Sequence, residues 1–194
     1  MTQLVGVLGS VTPPGRLLQA VEYSLASARE AGPSIETSLI NLADVRIGYA
    51  GAQAAEEMDD DTPSVVQTIA GADAVLFASP VYRASYTGVL KNLLDLLPVE
   101  ALMGKPCAIL AMGATQHHYL GVDWHLRDVL TWFGAVTLPS SVYLASSDFS
   151  EGKLTDGAKS SLKDLATTLV RFQAMLPKGA ESLRPMPLAA QRRG

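Results

Sequence analysis

A single cysteine, Cys107, rules out an internal disulfide and fits a reducing compartment. Excess basic charge is missing as well. The formal net charge is -4 at pH 7, which argues against nucleic acid as the main partner, because binding a phosphate backbone needs a basic stripe. No apolar run reaches the ~18 residues of a membrane span. Residues 1–9 show no charged stretch leading into an apolar one, so no secretion signal and no membrane association are expected, and the cytoplasm is the expected location. The chain also lacks the G-x-G-x-x-G dinucleotide fingerprint, a phosphate loop closed by G-K-[ST], and the G-x-S-x-G nucleophile turn. Histidines number 3, His117, His118 and His125, with no carboxylate at ligand spacing, so no metal centre is expected.

What is present is a core-forming chain. Of its 194 residues 48% are apolar and 18% charged, which suits one globular domain. Short apolar runs alternate with segments of helical period. Strands are expected at 3–9, 35–42, 74–79, 106–112 and 136–143. Helices are expected at 16–31, from Thr62 as N-cap to about 70, from Tyr86 or Thr87 to 97, at 123–133 and at 156–176. The proline-rich and basic stretch 177–194 reads as a tail to a domain spanning 1–176. Near-continuous apolar strands separated by helices imply an α/β fold, a five-stranded parallel sheet covered on both faces, doubly wound by right-handed crossovers. Ligands of such sheets lie beyond the carboxyl ends of the strands, where strand order reverses.

Three loops therefore become the candidate site. The first, Gly9-Ser10-Val11-Thr12-Pro13-Pro14-Gly15-Arg16, opens directly into a helix. Its free N–H groups and dipole favour a phosphate, with hydroxyls from Ser10 and Thr12 and a guanidinium from Arg16; the residues alone leave open a plain turn stiffened by two prolines. The second follows Ser79. Pro80 stiffens the bend, the backbone from Val81 to Ser85 is expected to be free for the edge of a heteroaromatic ring, and Gly88 is expected to admit another backbone. Tyr82 and Tyr86 read as ring contacts or as ordinary boundary packing. The third is Gly113-Ala114-Thr115, almost without side chains and open to something flat. His117 and His118, read as strand neighbours, point to opposite faces; either could act as a general acid. Cys107 reads as a small buried apolar residue, Asp59-Asp60-Asp61 as a solvated run ahead of a helix, and Trp132 and Phe133 as core or interface.

These residues carry a likeness. Ser79-Pro80-Val81-Tyr82-Arg83-Ala84-Ser85-Tyr86-Thr87-Gly88, then Leu90-Lys91 and Leu94-Asp95, resembles the signature of the flavodoxin-like NAD(P)H-dependent FMN reductases. Within them it is most similar to reductase components of two-component systems of the alkanesulfonate monooxygenase kind. Leu102-x-Gly104-Lys105-Pro106, Gly113-Ala114-Thr115 and Val122-Asp123-Trp124 support the likeness, which spans about 3–143. It implies a flavodoxin-like three-layer sandwich that binds FMN. The phosphate would be held by Ser10, Thr12, Arg16 and the adjoining Leu17. The ring would be cradled by Pro80, Val81, Tyr82, Arg83, Ala84 and Ser85, with Gly113, Ala114 and Thr115 along another edge. NADH or NADPH would then stack on the ring and transfer a hydride, and the reduced flavin would pass to a flavin-dependent monooxygenase. The resemblance also implies a homodimer or homotetramer packed through the helix around Asp123 and Trp124, in a branch where a tyrosine, sometimes in a π-bulge, takes the place of Trp124. The first loop departs from the family pattern, with Pro13-Pro14-Gly15-Arg16 in place of a longer series of hydroxyl residues. Two other readings remain: a quinone- or azo-type reductase that keeps its FMN, and a flavodoxin-like electron carrier without enzymatic activity.

Overall fold

The computed structural model describes residues 1–11 and 15–176. The expected tail, 177–194, and Thr12 of the first loop lie outside the described residues. The elements run β1 (Thr2–Leu8), α1 (Arg16–Ala31), β2 (Ile35–Asn41), α2 (Thr62–Gly71), β3 (Ala74–Pro80), α3 (Gly88–Leu96), β4 (Pro106–Met112), α4 (Tyr119–Trp132), β5 (Val136–Thr137), β6 (Val142–Leu144), β7 (Phe149–Ser150), β8 (Lys153–Leu154) and α5 (Asp156–Met175). The main sheet has the order β2-β1-β3-β4-β5, with β6 also on β4, and all its pairings are parallel. This is the flavodoxin-like order.

The period-two alternation of strand side chains divides the core in two. Val5, Val7, Val75, Phe77, Cys107 and Ile109 face the layer of α2, α3 and α4. Leu4, Leu8, Leu76, Ala78, Ala108 and Leu110 face α1 and α5. Each helix answers with an apolar stripe. On α3, Leu90 and Leu93 are 0% exposed and Leu94 1%, and burying each such side chain contributes about 1.5–3 kcal/mol. Cys107 is fully buried and its thiol is pushed up to about 12 by burial, so it packs as a small apolar residue.

Two expectations change. The strand foreseen at 136–143 is broken into β5 and β6. Val136 N–H and Leu138 N–H still donate to Lys105 O and Cys107 O, each at 2.8 Å; the chain then leaves β4 through Pro139-Ser140-Ser141 and rejoins it at Val142. Thr62 is the first residue of α2 rather than its cap. Its buried hydroxyl accepts from Gly48 N at 3.0 Å, while its own N–H donates to Asp60 Oδ1 at 2.8 Å. The aspartate run is thus partly anchored: Asp60 binds Thr62, and Asp61 Oδ2 accepts from Arg46 N at 2.8 Å. Bonds from Thr62 hold the Asp60 carboxyl below its ordinary value. Asn92 of α3 completes the fixing of this loop, accepting from Ala50 N at 2.9 Å and donating to Gly48 O at 2.7 Å.

Candidate active site

The chain reverses strand order between β1 and β3, so the loops after these strands diverge and leave a crevice at their carboxyl ends. Backbone hydrogen bonds anchor each of the three expected loops to a neighbouring strand. Gly9 N–H donates to Ala78 O at 2.7 Å, Val81 N–H to Met112 O at 2.8 Å and Gly113 N–H to Leu144 O at 3.0 Å. The Thr87 hydroxyl, 3% exposed, donates to Gly9 O at 2.6 Å and accepts from Leu90 N at 3.3 Å. One side chain therefore caps α3 and ties the loop after β1 to the loop after β3. Ser79 Oγ accepts from Thr87 N at 3.1 Å and donates to Pro80 O at 2.9 Å. Neither Thr87 nor Ser79 figures among the expected site residues, although a threonine one residue before a helix is a readable cap signal.

The loop after β3 is a tight turn. Tyr82 N–H donates to Ser85 O at 2.8 Å and Ser85 N–H to Tyr82 O at 3.0 Å. Arg83 and Ala84 between them have φ of 50° and 64°, a left-handed pair that suits Asn-Gly and is costly for residues with a Cβ. The expectation of a free backbone from Val81 to Ser85 is corrected. Val81, Tyr82 and Ser85 spend their N–H groups within the protein; among the described residues no hydrogen bond engages those of Arg83 and Ala84. Tyr82 is 47% exposed. Tyr86 is half-buried against the α2–α4 core, and burial raises its hydroxyl pKa. Gly88 meets no backbone, since a Cβ there would find nothing within 4 Å; it lines a cavity of about 390 Å³ with Val11, Val45, Arg46, Tyr49 and Asn92.

The first loop leads into the amino end of α1. Its cap, Gly15, makes no side-chain bond, and the first turn holds no acidic residue. Its leading N–H groups therefore suit an anion. Ser10 is buried in the approach. Leu17 is 6% exposed and packs in the α1–α5 core, which leaves only its backbone for a ligand. The exposed Arg16 guanidinium stands 5.3 Å from the Phe149 ring centroid, a cation–π contact with the β7–β8 hairpin.

The third loop differs from its expected form. A Cβ on Gly113 would lie 2.1 Å from the Tyr143 hydroxyl, so the bare face of this glycine is filled by a tyrosine of β6. The Tyr143 hydroxyl, its pKa raised by burial, donates to Thr115 O at 2.5 Å and steadies the loop. Ala114 and Thr115 stay exposed. His117 and His118 lie in an exposed 3-10 turn, Gln116–His118, not in a strand, so strand alternation does not govern them. α4 is a regular α-helix, with no π-bulge at Trp124. Trp124 is 63% exposed. Phe133 enters the core, whereas Trp132 stays half-exposed with its ring edge-on at 5.0 Å.

The loops at the strand ends thus offer helix-end donors that suit a phosphate and, on the exposed Arg83 and Ala84, two N–H groups that no hydrogen bond engages among the described residues. Among known proteins, the family model described as NADPH-dependent FMN reductase matches residues 2–149. The chain is 35% identical over 153 residues to the NADH-dependent FMN reductase SfnF of Pseudomonas fluorescens, covering 79% of this chain and 81% of that one. It is 35% identical over 147 residues to an FMN reductase (NADPH) of Pseudomonas aeruginosa, covering 76% and 78%. The solved structure of the NADH:FMN oxidoreductase EMOB in its apo form superposes with a TM-score of 0.79 at 27% identity, covering 99% of this chain and 97% of that one.

Proposed function

The chain belongs to the NADPH-dependent FMN reductase family and is an NAD(P)H:FMN oxidoreductase; from that premise we propose how its own residues hold the flavin and where the reduced flavin goes. The uncapped amino end of α1 takes the FMN phosphate, helped by Ser10, Thr12 and Arg16. The Arg83 and Ala84 N–H groups meet the ring edge, with Pro80 to Ser85 as the platform and Gly113, Ala114 and Thr115 as the second rim. Bound FMN supplies the ring nitrogen that accepts the hydride from NADH or NADPH. The protein's part is to fix the angle and distance of approach and to keep the platform rigid. No titratable side chain is asked to move a proton.

The observation that carries this reading is an acid-free helix end without a side-chain cap, on a loop that Thr87 ties to the β3 loop, whose Arg83 and Ala84 N–H groups no hydrogen bond engages among the described residues. Because Arg16 is engaged by Phe149, backbone donors carry most of the phosphate grip. FMN is then exchangeable, and reduced flavin leaves for a flavin-dependent monooxygenase. The exposed Tyr119 and Trp124 on α4, 54% and 63% exposed, support a homodimer or homotetramer packed through that helix. The catalytic unit is a single domain of 1–176 working in the cytoplasm; among the described residues no helix is long and apolar enough to cross a membrane.

The test is an FMN titration followed by steady-state oxidation of NADH and of NADPH, with and without added FMN. Activity that rises with added FMN is expected. A firmly yellow protein inactive with both nicotinamides would replace the reading with an electron carrier, and turnover that needs a quinone but no added FMN would replace it with a reductase of bound flavin.

A further inference from the structure

The strained turn does not stand alone. Behind it lies Gly121, in the first turn of α4. A Cβ at Gly121 would lie 2.8 Å from Ala84 O, 3.2 Å from Ala84 C and 3.6 Å from Ala84 Cα. These are backbone atoms, so a side chain there must displace the turn or the helix. The same turn holds Arg83 and Ala84 at positive φ without glycine, a conformation that persists only where surrounding structure fixes it. Hydrogen bonds fix its base at Tyr82 and Ser85. Against the Ala84 carbonyl at its tip lies α4, at Gly121. We infer that Gly121 is a positioning residue for flavin reduction: by letting α4 abut the Ala84 carbonyl, it sets the pose of the Arg83–Ala84 turn, and with it the seat of the flavin ring.

This inference rests on the proposed seating of FMN and adds a cause for it. α4 begins right after the 113–118 loop, so one helix bears on two rims of the crevice. Tyr119 at its first residue and Trp124 are exposed, while Val122 and Leu126, both 0% exposed, anchor it in the core. A shift of α4 is therefore transmitted to the turn through rigid packing rather than absorbed in solvent.

The test compares Gly121→Ala with the unaltered protein and with Gly157→Ala, a helical glycine where a Cβ meets nothing within 4 Å. Gly121→Ala is expected to weaken FMN about tenfold by fluorescence titration and to lower kcat several-fold at saturating flavin and nicotinamide, measured well below its melting temperature. Gly157→Ala should leave both unchanged. A purely structural glycine would shift melting alone. If folded Gly121→Ala keeps FMN affinity and kcat within twofold, the inference is overturned. Hydrogen exchange on the unaltered protein gives a second arm that needs no variant. FMN should slow exchange both at 82–85 and at 119–124, and protection confined to 82–85 would also overturn it. Failure of the unaltered protein to bind FMN or oxidise NAD(P)H would instead sink the functional reading itself.

Discussion

Replacing Thr87 by valine keeps the volume of the side chain and removes its hydroxyl. Two bonds disappear: the donation to Gly9 O at 2.6 Å and the acceptance from Leu90 N at 3.3 Å. The first loss leaves a buried carbonyl without this partner, at about 1–3 kcal/mol. The second removes a helix cap, typically worth ~1 kcal/mol, and its long distance puts it at the low end. The sum is about 2–3 kcal/mol. A domain of this size loses roughly 2–4 °C of melting temperature per kcal/mol, so Thr87→Val should melt about 5–10 °C lower. Because the lost bond joins two rims of the crevice, FMN affinity should fall too, by roughly tenfold if ~1.4 kcal/mol of the loss falls on the bound state. Thr87→Ser, which keeps the hydroxyl, should recover most of both. Circular dichroism melts and fluorescence titration with FMN read the two effects. A valine variant melting within 2 °C of the parent, with unchanged FMN affinity, would show that this hydroxyl does not join the loops in solution.

Arg16→Ala should weaken FMN about five- to tenfold, a modest share of a charged hydrogen bond, while riboflavin, which has no phosphate, should bind as before; equal losses would show that Arg16 does not serve the phosphate. Cys107, fully buried with its thiol pushed up to about 12, should resist thiol reagents at pH 8 in the native protein and react once it is unfolded, since only the thiolate attacks. Stoichiometric labelling of the native protein within minutes would refute its burial.

The fold was legible because strands buried on both faces leave nearly continuous apolar runs and the helices between them carry clear stripes. α1 and β4 fall on the foreseen residues, Arg16–Ala31 and Pro106–Met112. The last strand was misread because Val136, Thr137, Val142 and Tyr143 read as one continuous run, while the polar Pro139-Ser140-Ser141 stretch between them leaves the sheet. Within the site, the location of the loops was readable and their internal bonding was not. Nothing in Tyr-Arg-Ala-Ser announces a left-handed pair, because that conformation normally calls for Asn or Gly; it is imposed by the Tyr82–Ser85 bonds and the nearness of α4. Tyr143 looked like a core strand residue and instead fills the face of Gly113, a contact across 30 residues of chain that no local pattern encodes.

The broken end of the sheet has a bearing on self-association. An unpaired strand flank invites copies of a chain to add on in register, the first step toward fibres. On the β5–β6 side the flank is only two and three residues long, with a proline between the pieces, so little template is offered. The opposite flank, β2, runs seven residues and offers the longer template; there the exposed Glu36, whose carboxylate accepts from Gln3 Nε2 of β1, places a negative charge beside the open edge, so its neutralisation should favour aggregation in concentrated solution.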